Sequence, residues 1–204
     1  MKKIIILLCI LMPLCLQAQE DEVVKKHHFG VGIGLAVPGE ILFEVPAQEN
    51  NTVSFYGEYR YALTPSFYVG AIYSMVAPHT GEMNLESSFE NSEGRLETKT
   101  INITTKSNYH TLNAFAEFKT VTYGNMRFYV GLGGGPQLRF ASFSHQSGGK
   151  NSDYFFSADL YAYAGLELMD HLRITVGHFH DLHYPITAFP SGAPYSHISV
   201  GWAF

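Results

Sequence analysis

Polar and apolar residues alternate along this chain in eight separate runs, near 28–37, 52–63, 66–76, 108–122, 126–143, 153–168, 172–183 and 196–204. Strict alternation is the mark of strands with one face in each of two environments, and no stretch carries a convincing helical period. Within 126–140, Met126, Phe128, Val130, Leu132, Leu138 and Phe140 fall on one face, with Arg127, Tyr129, Gln137 and Arg139 on the other. Within 154–168, Phe156, Ala158, Leu160, Ala162, Ala164, Leu166 and Leu168 oppose Ser157, Asp159, Tyr161, Tyr163 and Glu167. The second run sets Phe55, Tyr59, Tyr61 and Leu63 against Ser54, Tyr56, Glu58 and Arg60, and the fourth sets Leu112, Ala114, Ala116 and Phe118 against Asn113, Glu117 and Lys119.

The connections alternate in length. Short turns fall at Leu63-Thr64-Pro65-Ser66, Tyr123-Gly124-Asn125-Met126 and Met169-Asp170-His171-Leu172, while 38–51, 77–107, 144–152 and 184–195 are longer or more polar. Short turns on one rim and long loops on the other predict an all-β, eight-stranded antiparallel up-and-down transmembrane β-barrel, with long loops outside the cell and both termini in the periplasm. A soluble eight-stranded barrel would turn the same apolar stripes inward. Lipid-sized apolar stripes and aromatics near strand ends (Tyr59, Tyr61, Phe67, Tyr123, Phe128, Trp202) favour the inverted, membrane form.

The amino terminus supplies the export route. Lys2 and Lys3, the apolar run from Ile4 to Leu16, and Gln17-Ala18 read as a signal peptide over 1–18, too short to span a bilayer. A periplasmic tail over 19–27 and a barrel over 28–204 complete the expected organisation. Cys9 and Cys15 both lie in the leader, so the mature chain holds no disulfide, thiolate nucleophile or cysteine metal site. Aromatic residues at 14%, 19 glycines and only 15% charged residues exclude an ordinary soluble α/β composition. Without Lys2 and Lys3 the 13 basic residues become 11 against 18 acidic, a net charge of 11 − 18 = −7, which asks for no nucleic acid.

The last run, His197-Ile198-Ser199-Val200-Gly201-Trp202-Ala203-Phe204, aligns Ile198, Val200, Trp202 and Phe204 on one face. In this ending, and in length and pattern, the chain resembles the small OmpA/OmpX-like outer membrane protein β-barrel domain family. The resemblance implies that these four residues form a signal read by the barrel-assembly machinery. It also implies a bacterial outer-membrane location among lipid and lipopolysaccharide. The chain itself is read as a monomeric, non-enzymatic barrel with a structural or surface-interaction role and no cofactor. The segment 77–107, rich in Glu, Asn, Ser and Thr, is where a partner-binding role is expected, and its 98–105 stretch alternates enough to prolong a hairpin past the membrane.

Carried inward, the polar face gives a lumen with Glu58, Arg60, Glu117, Lys119, Arg127, Arg139, Asp159, Glu167 and Arg173. An eight-stranded barrel is just wide enough for its side chains to fill, and charges removed from water need partners. A salt-bridge plug is expected, with a narrow gated channel as the alternative. Gly30, Gly32 and Gly34, and Gly131, Gly133 and Gly135, alternate on strands rather than opening a helix, so they read as room left for inward Tyr and Arg side chains and not as a phosphate loop. His178, His180 and His183 could begin a metal site, but His178 and His180 share the lipid-side parity of Leu172, Ile174 and Val176. Lipid A deacylases use a His-x-Ser pair with an acidic partner. Here His178-Phe179-His180 has histidine in the serine place, and His145-Gln146-Ser147 sits in another hairpin, so no catalytic residue is assigned.

Overall fold

A computed structural model describes residues 26–38, 51–90, 95–120, 122–145, 149–182 and 195–204. The expected signal peptide, the segments 39–50 and 183–194, and with them His183, lie outside the described residues. Eight strands follow one another: β1 (His27–Pro38), β2 (Thr52–Ala62), β3 (Phe67–Glu90), β4 (Leu96–Lys119), β5 (Met126–His145), β6 (Lys150–Leu168), β7 (Leu172–Asp181) and β8 (Tyr195–Ala203). Each pairs antiparallel with the next, and β1 closes on β8, which removes every edge from the ring. His27, the last residue of the expected tail, belongs to β1, where it pairs with Tyr61.

The three tight turns fall where the chain places them, each by its own chemistry. Thr64 Oγ1 accepts hydrogen bonds from the Ser66 and Phe67 amides, closing β2 to β3 around Pro65. Gly124, at φ 61, takes the first central position of the Tyr123–Met126 turn, where positive φ costs glycine least. Met169 and Asp170 both sit at positive φ (54 and 61), with the His171 amide bonded to the Leu168 carbonyl at 3.1 Å. Positive φ at both central residues is the type I′ pattern that matches the twist of a tight hairpin.

The other rim departs from expectation. The segment 77–107, expected as a long link, continues as strand: β3 runs to Glu90 and β4 begins at Leu96. The register shifts between Val76 and His79, beside Pro78, which has no N–H to give the ladder. β2 has ended there, since its last pair with β3 is Ser54 with Val76, so β3 runs on with β4 alone as its partner. On the far side β6 pairs with β7 only up to Asp159, yet pairs with β5 as far as Lys150. β3 to β6 therefore rise above the ring as a four-stranded sheet. The fourteen residues of β3 beyond Val76 (90 − 76) extend about 45 Å at roughly 3.3 Å per residue.

The polarity of the ring is inside out. Phe29, Val31, Ile33, Phe128, Val130, Leu132, Ile198 and Val200 lie on the outer face, each about half exposed. The largest fully buried side chains include Arg60, Arg173, Lys119 and Glu117 together with Tyr68, Tyr129 and Tyr161. Two glycines make the crowding possible. A β-carbon on Gly32 would overlap the Tyr56 ring, and one on Gly131 would overlap Tyr163. The interior tyrosines thus lie flat against strands that have been cleared for them.

Candidate functional site

Six of the nine charged residues predicted for the lumen converge toward the end with the tight turns. Lys119 Nζ donates to both carboxylate oxygens of Glu167, at 2.8 and 2.7 Å. Arg60 reaches Glu167 at 3.1 Å and both Glu117 and Glu58 at 3.4 Å. Arg173 closes the chain of contacts, donating to Glu117 at 2.6 Å and lying 3.3 Å from Glu58. Three acids and three bases alternate, so the buried cluster is neutral as a whole. Four strands far apart in sequence supply the arginines and their glutamates: β2, β4, β6 and β7.

Aromatic rings seal this cluster. The Arg173 guanidinium stacks 4.0 Å from the Tyr129 ring centre and the Lys119 ammonium lies 4.4 Å from that of Tyr68. Tyr163 donates its hydroxyl to Glu117 at 3.0 Å. Above it the rings continue as a stack: Tyr163 on Tyr161 (4.7 Å), Tyr161 on Phe179 (4.1 Å) and Phe179 on Tyr195 (4.4 Å). The space left among Glu58, Ser74, Tyr161, Arg173 and His197 amounts to about 10 Å³, the size of one water.

The other three predicted lumen charges lie elsewhere. Arg127 sits at the turn-side rim, a quarter exposed, 3.4 Å from Asp170 and bonded through Nε to Thr122. Arg139 lies far up β5, donating to Ser107 Oγ at 2.9 Å and resting 5.4 Å from the centre of the Tyr109 ring. Asp159 is buried at mid-height, directly opposite Asp181 in the β6–β7 register. Asp181, outside the nine lumen charges predicted from the sequence, shares the parity of Arg173 and Thr175 along β7 and faces inward with them.

The histidines take the face expected of them. His178 and His180 have outward parity, with ring centres 6.3 Å apart, and His178 Nδ1 is 3.0 Å from Ser196 Oγ on β8. Among the described residues no three His, Cys, Asp or Glu side chains converge as metal ligands. Ile198, Val200, Trp202 and Phe204 all point outward on β8 and its end, and the Phe204 amide donates to the Phe29 carbonyl at 2.7 Å.

No family model and no curated protein matches this chain. Among solved structures, the chain is similar in shape to Ail, the attachment invasion locus protein of Yersinia pestis, in a complex with the heparin analogue sucrose octasulfate. That match has 17% identity and a TM-score of 0.47, and covers 89% of this chain and all of the other. Neisserial surface protein A matches at 13% identity and a TM-score of 0.49, covering 87% of this chain and 95% of its own. The outer membrane protein OprG from Pseudomonas aeruginosa matches at 12% and 0.49, covering 88% and 97%.

Proposed function

We propose that this chain is an integral outer-membrane barrel of a bacterium, non-enzymatic, whose ion-paired lumen is a structural plug and whose raised sheet meets partners outside the cell. The observation that carries this reading is the inversion of polarity: fully buried Arg60, Arg173, Lys119 and Glu117 inside, a belt of half-exposed Phe, Val, Leu and Ile outside. In water that belt would be a very large apolar patch, whereas in a bilayer it is the solvated surface. The tight-turn rim then faces the periplasm, and the sheet made by β3 to β6 stands outside. Within it, β3 beyond Val76 and β6 above Asp159 each have a neighbour on one side only among the described strands, and unpaired strand edges are where an extended partner segment can add. Ile198, Val200, Trp202 and Phe204 are proposed to serve the barrel-assembly machinery during insertion, with lipid and lipopolysaccharide as the surroundings of a monomer.

The test is membrane fractionation with heat-modifiable gel migration, joined to protease treatment of intact cells. The protein is expected in the outer-membrane fraction, migrating faster unboiled than boiled, with the three tight turns spared from cleavage. Recovery from the soluble periplasm would overturn the reading.

A second reading rests on one contact, the 3.0 Å approach of His178 Nδ1 to Ser196 Oγ on the lipid-facing side near the outer rim. A serine activated by histidine there could attack an acyl ester of an outer-leaflet lipid. The nearby acids do not complete such a set, because Asp181 and Asp159 turn into the lumen, away from His178. Unchanged lipid acylation in a Ser196→Ala strain, compared with wild type by mass spectrometry, is the expected result, and a restored acyl chain would favour the enzyme.

A further inference from the structure

Above the ion cluster the rings of the lumen form a column. Tyr163, Tyr161, Phe179, Tyr195, Tyr109 and His79 touch one another in that order, climbing from the cluster toward the raised sheet. Their successive centres are 4.7, 4.1, 4.4, 6.1 and 5.3 Å apart, with interplanar angles between 12° and 26°. Every member is buried. Leucine or phenylalanine would fill the same bore with no hydroxyl to satisfy, so four buried tyrosines carry a cost that packing alone does not require.

The phenols differ in what they face. Tyr163 donates to Glu117, a carboxylate already held by Arg60 and Arg173, and Tyr195 meets the Thr111 hydroxyl. Tyr161 has an imidazole in reach instead: its hydroxyl is 3.5 Å from His197 Nε2, with ring centres 5.8 Å apart. His197 is buried too, and packs on Phe179 at 5.5 Å. A glycine clears the approach. A β-carbon on Gly177, the register partner of His197, would stand 2.7 Å from the His197 ring and 2.9 Å from that of Tyr161. An imidazole nitrogen without its proton is a ready acceptor for a phenol proton within hydrogen-bond reach. At the upper end of the column the Arg139 guanidinium lies 5.4 Å from the Tyr109 ring centre, and a positive charge there disfavours an electron-deficient ring.

We propose that this column is a sink for oxidising equivalents, with Tyr161 and His197 as its redox-active pair. The oxidant is a one-electron acceptor of the oxygen-radical class, arriving from the side of the raised sheet. It takes one electron from the upper end of the column and is itself reduced by one electron, a hydroxyl radical to hydroxide. The electron deficiency leaves the ring beside Arg139, crosses Phe179, which is stacked on both Tyr195 and Tyr161, and settles on Tyr161. There the phenol O–H bond breaks as an N–H bond forms at His197 Nε2. The products are a neutral phenoxyl radical on Tyr161, an imidazolium on His197 and the reduced oxidant. An electron returned by a donor of the ascorbate class reverses the sequence, and the proton goes back from His197 to the phenol oxygen. The simplest competitor is a column of rings that only fills the bore.

The purified protein in micelles is oxidised by light flashes with a ruthenium polypyridyl sensitiser and persulfate, and its radicals are followed by electron paramagnetic resonance. A tyrosyl radical is expected that outlives those of exposed phenols several-fold and couples to an exchangeable proton, the mark of a hydrogen bond from imidazolium. Tyr154→Phe, on the exposed face of the raised sheet, should leave that radical unchanged. Tyr161→Phe should shorten the lifetime to that of exposed phenols, and His197→Leu should lower the yield several-fold. Heat-modifiable migration shows whether each variant is folded. Should His197→Leu fail to fold, Gly177→Ala, which crowds the pair, takes its place, and the exchangeable-proton coupling is read in the unaltered chain. Radicals confined to short-lived exposed phenols, a long-lived radical that survives Tyr161→Phe, a yield indifferent to the His197 and Gly177 changes, or a long-lived radical with no exchangeable coupling would each overturn the proposal.

Discussion

At the scale of the residue, the lumen inverts the usual rule that charge belongs in water, and the cost of that inversion decides what substitutions do. Glu117 is wholly buried and contacts Arg60, Arg173 and the Tyr163 hydroxyl. Removing one member of such a set leaves its partners charged and desolvated, so Glu117→Gln is expected to destabilise the barrel by about 3–5 kcal/mol. Replacing both members of the closest pair, as Glu117→Leu with Arg173→Met, should cost less than the sum of the single changes, a coupling of about 0.5–3 kcal/mol. Urea unfolding in micelles, following the tyrosine and tryptophan signal, measures both. Strictly additive losses would mean that the charges act independently. The glycines offer a steric counterpart: Gly131→Ala drives a methyl into the Tyr163 ring and should cost about 1–3 kcal/mol, relieved when Tyr163 is also shortened to Leu.

At the scale of the element, parity along each strand was readable from the sequence, and height within the barrel was not. A period of two fixes which side chains turn inward, and it puts Glu58, Arg60, Glu117, Lys119, Glu167 and Arg173 all inside, where they are buried. It does not say that Arg127 ends at the rim beside Asp170 or that Arg139 rises to Ser107, because height depends on the stagger between strands. Residues 98–105 alternate visibly, whereas the polar run 77–90 resembles a loop in composition and becomes strand only because β4 offers it a continuous partner. Two predictions belong here. Leu132, more than half exposed on the outer face near the middle of β5, should tolerate arginine badly, by about 2–4 kcal/mol, while the equally outward Tyr154, well above the belt, should accept it at about 0–1 kcal/mol. Met169 holds a left-handed backbone that costs a non-glycine residue about 1–2 kcal/mol, so Met169→Asn should raise stability by some fraction of that. Chemical unfolding of each variant in micelles of one composition checks the order.

At the scale of the whole molecule, closure of the ring and filling of the lumen are one fact seen twice. Eight strands enclose a bore that their own side chains fill, and this chain fills it with a neutral six-charge cluster below and stacked rings above. An ion entering from the turn side would have to replace contacts such as Lys119 with Glu167, each short and fully desolvated, and would then meet Phe179 between Tyr161 and Tyr195. The space left among Glu58, Ser74, Tyr161, Arg173 and His197, about one water, is smaller than the hydration shell of potassium or chloride, and the proposed plug rests on it. Purified barrel in a planar bilayer should therefore show no unitary currents in molar salt. Emptying the middle of the lumen, by Tyr161→Ala with Phe179→Ala, should open small steady currents only where the lower cluster is also weakened by Arg60→Ala. Currents in the unaltered protein would make the cluster a gate and not a plug. Currents in the aromatic double variant alone would show that the rings, and not the ion pairs, close the bore.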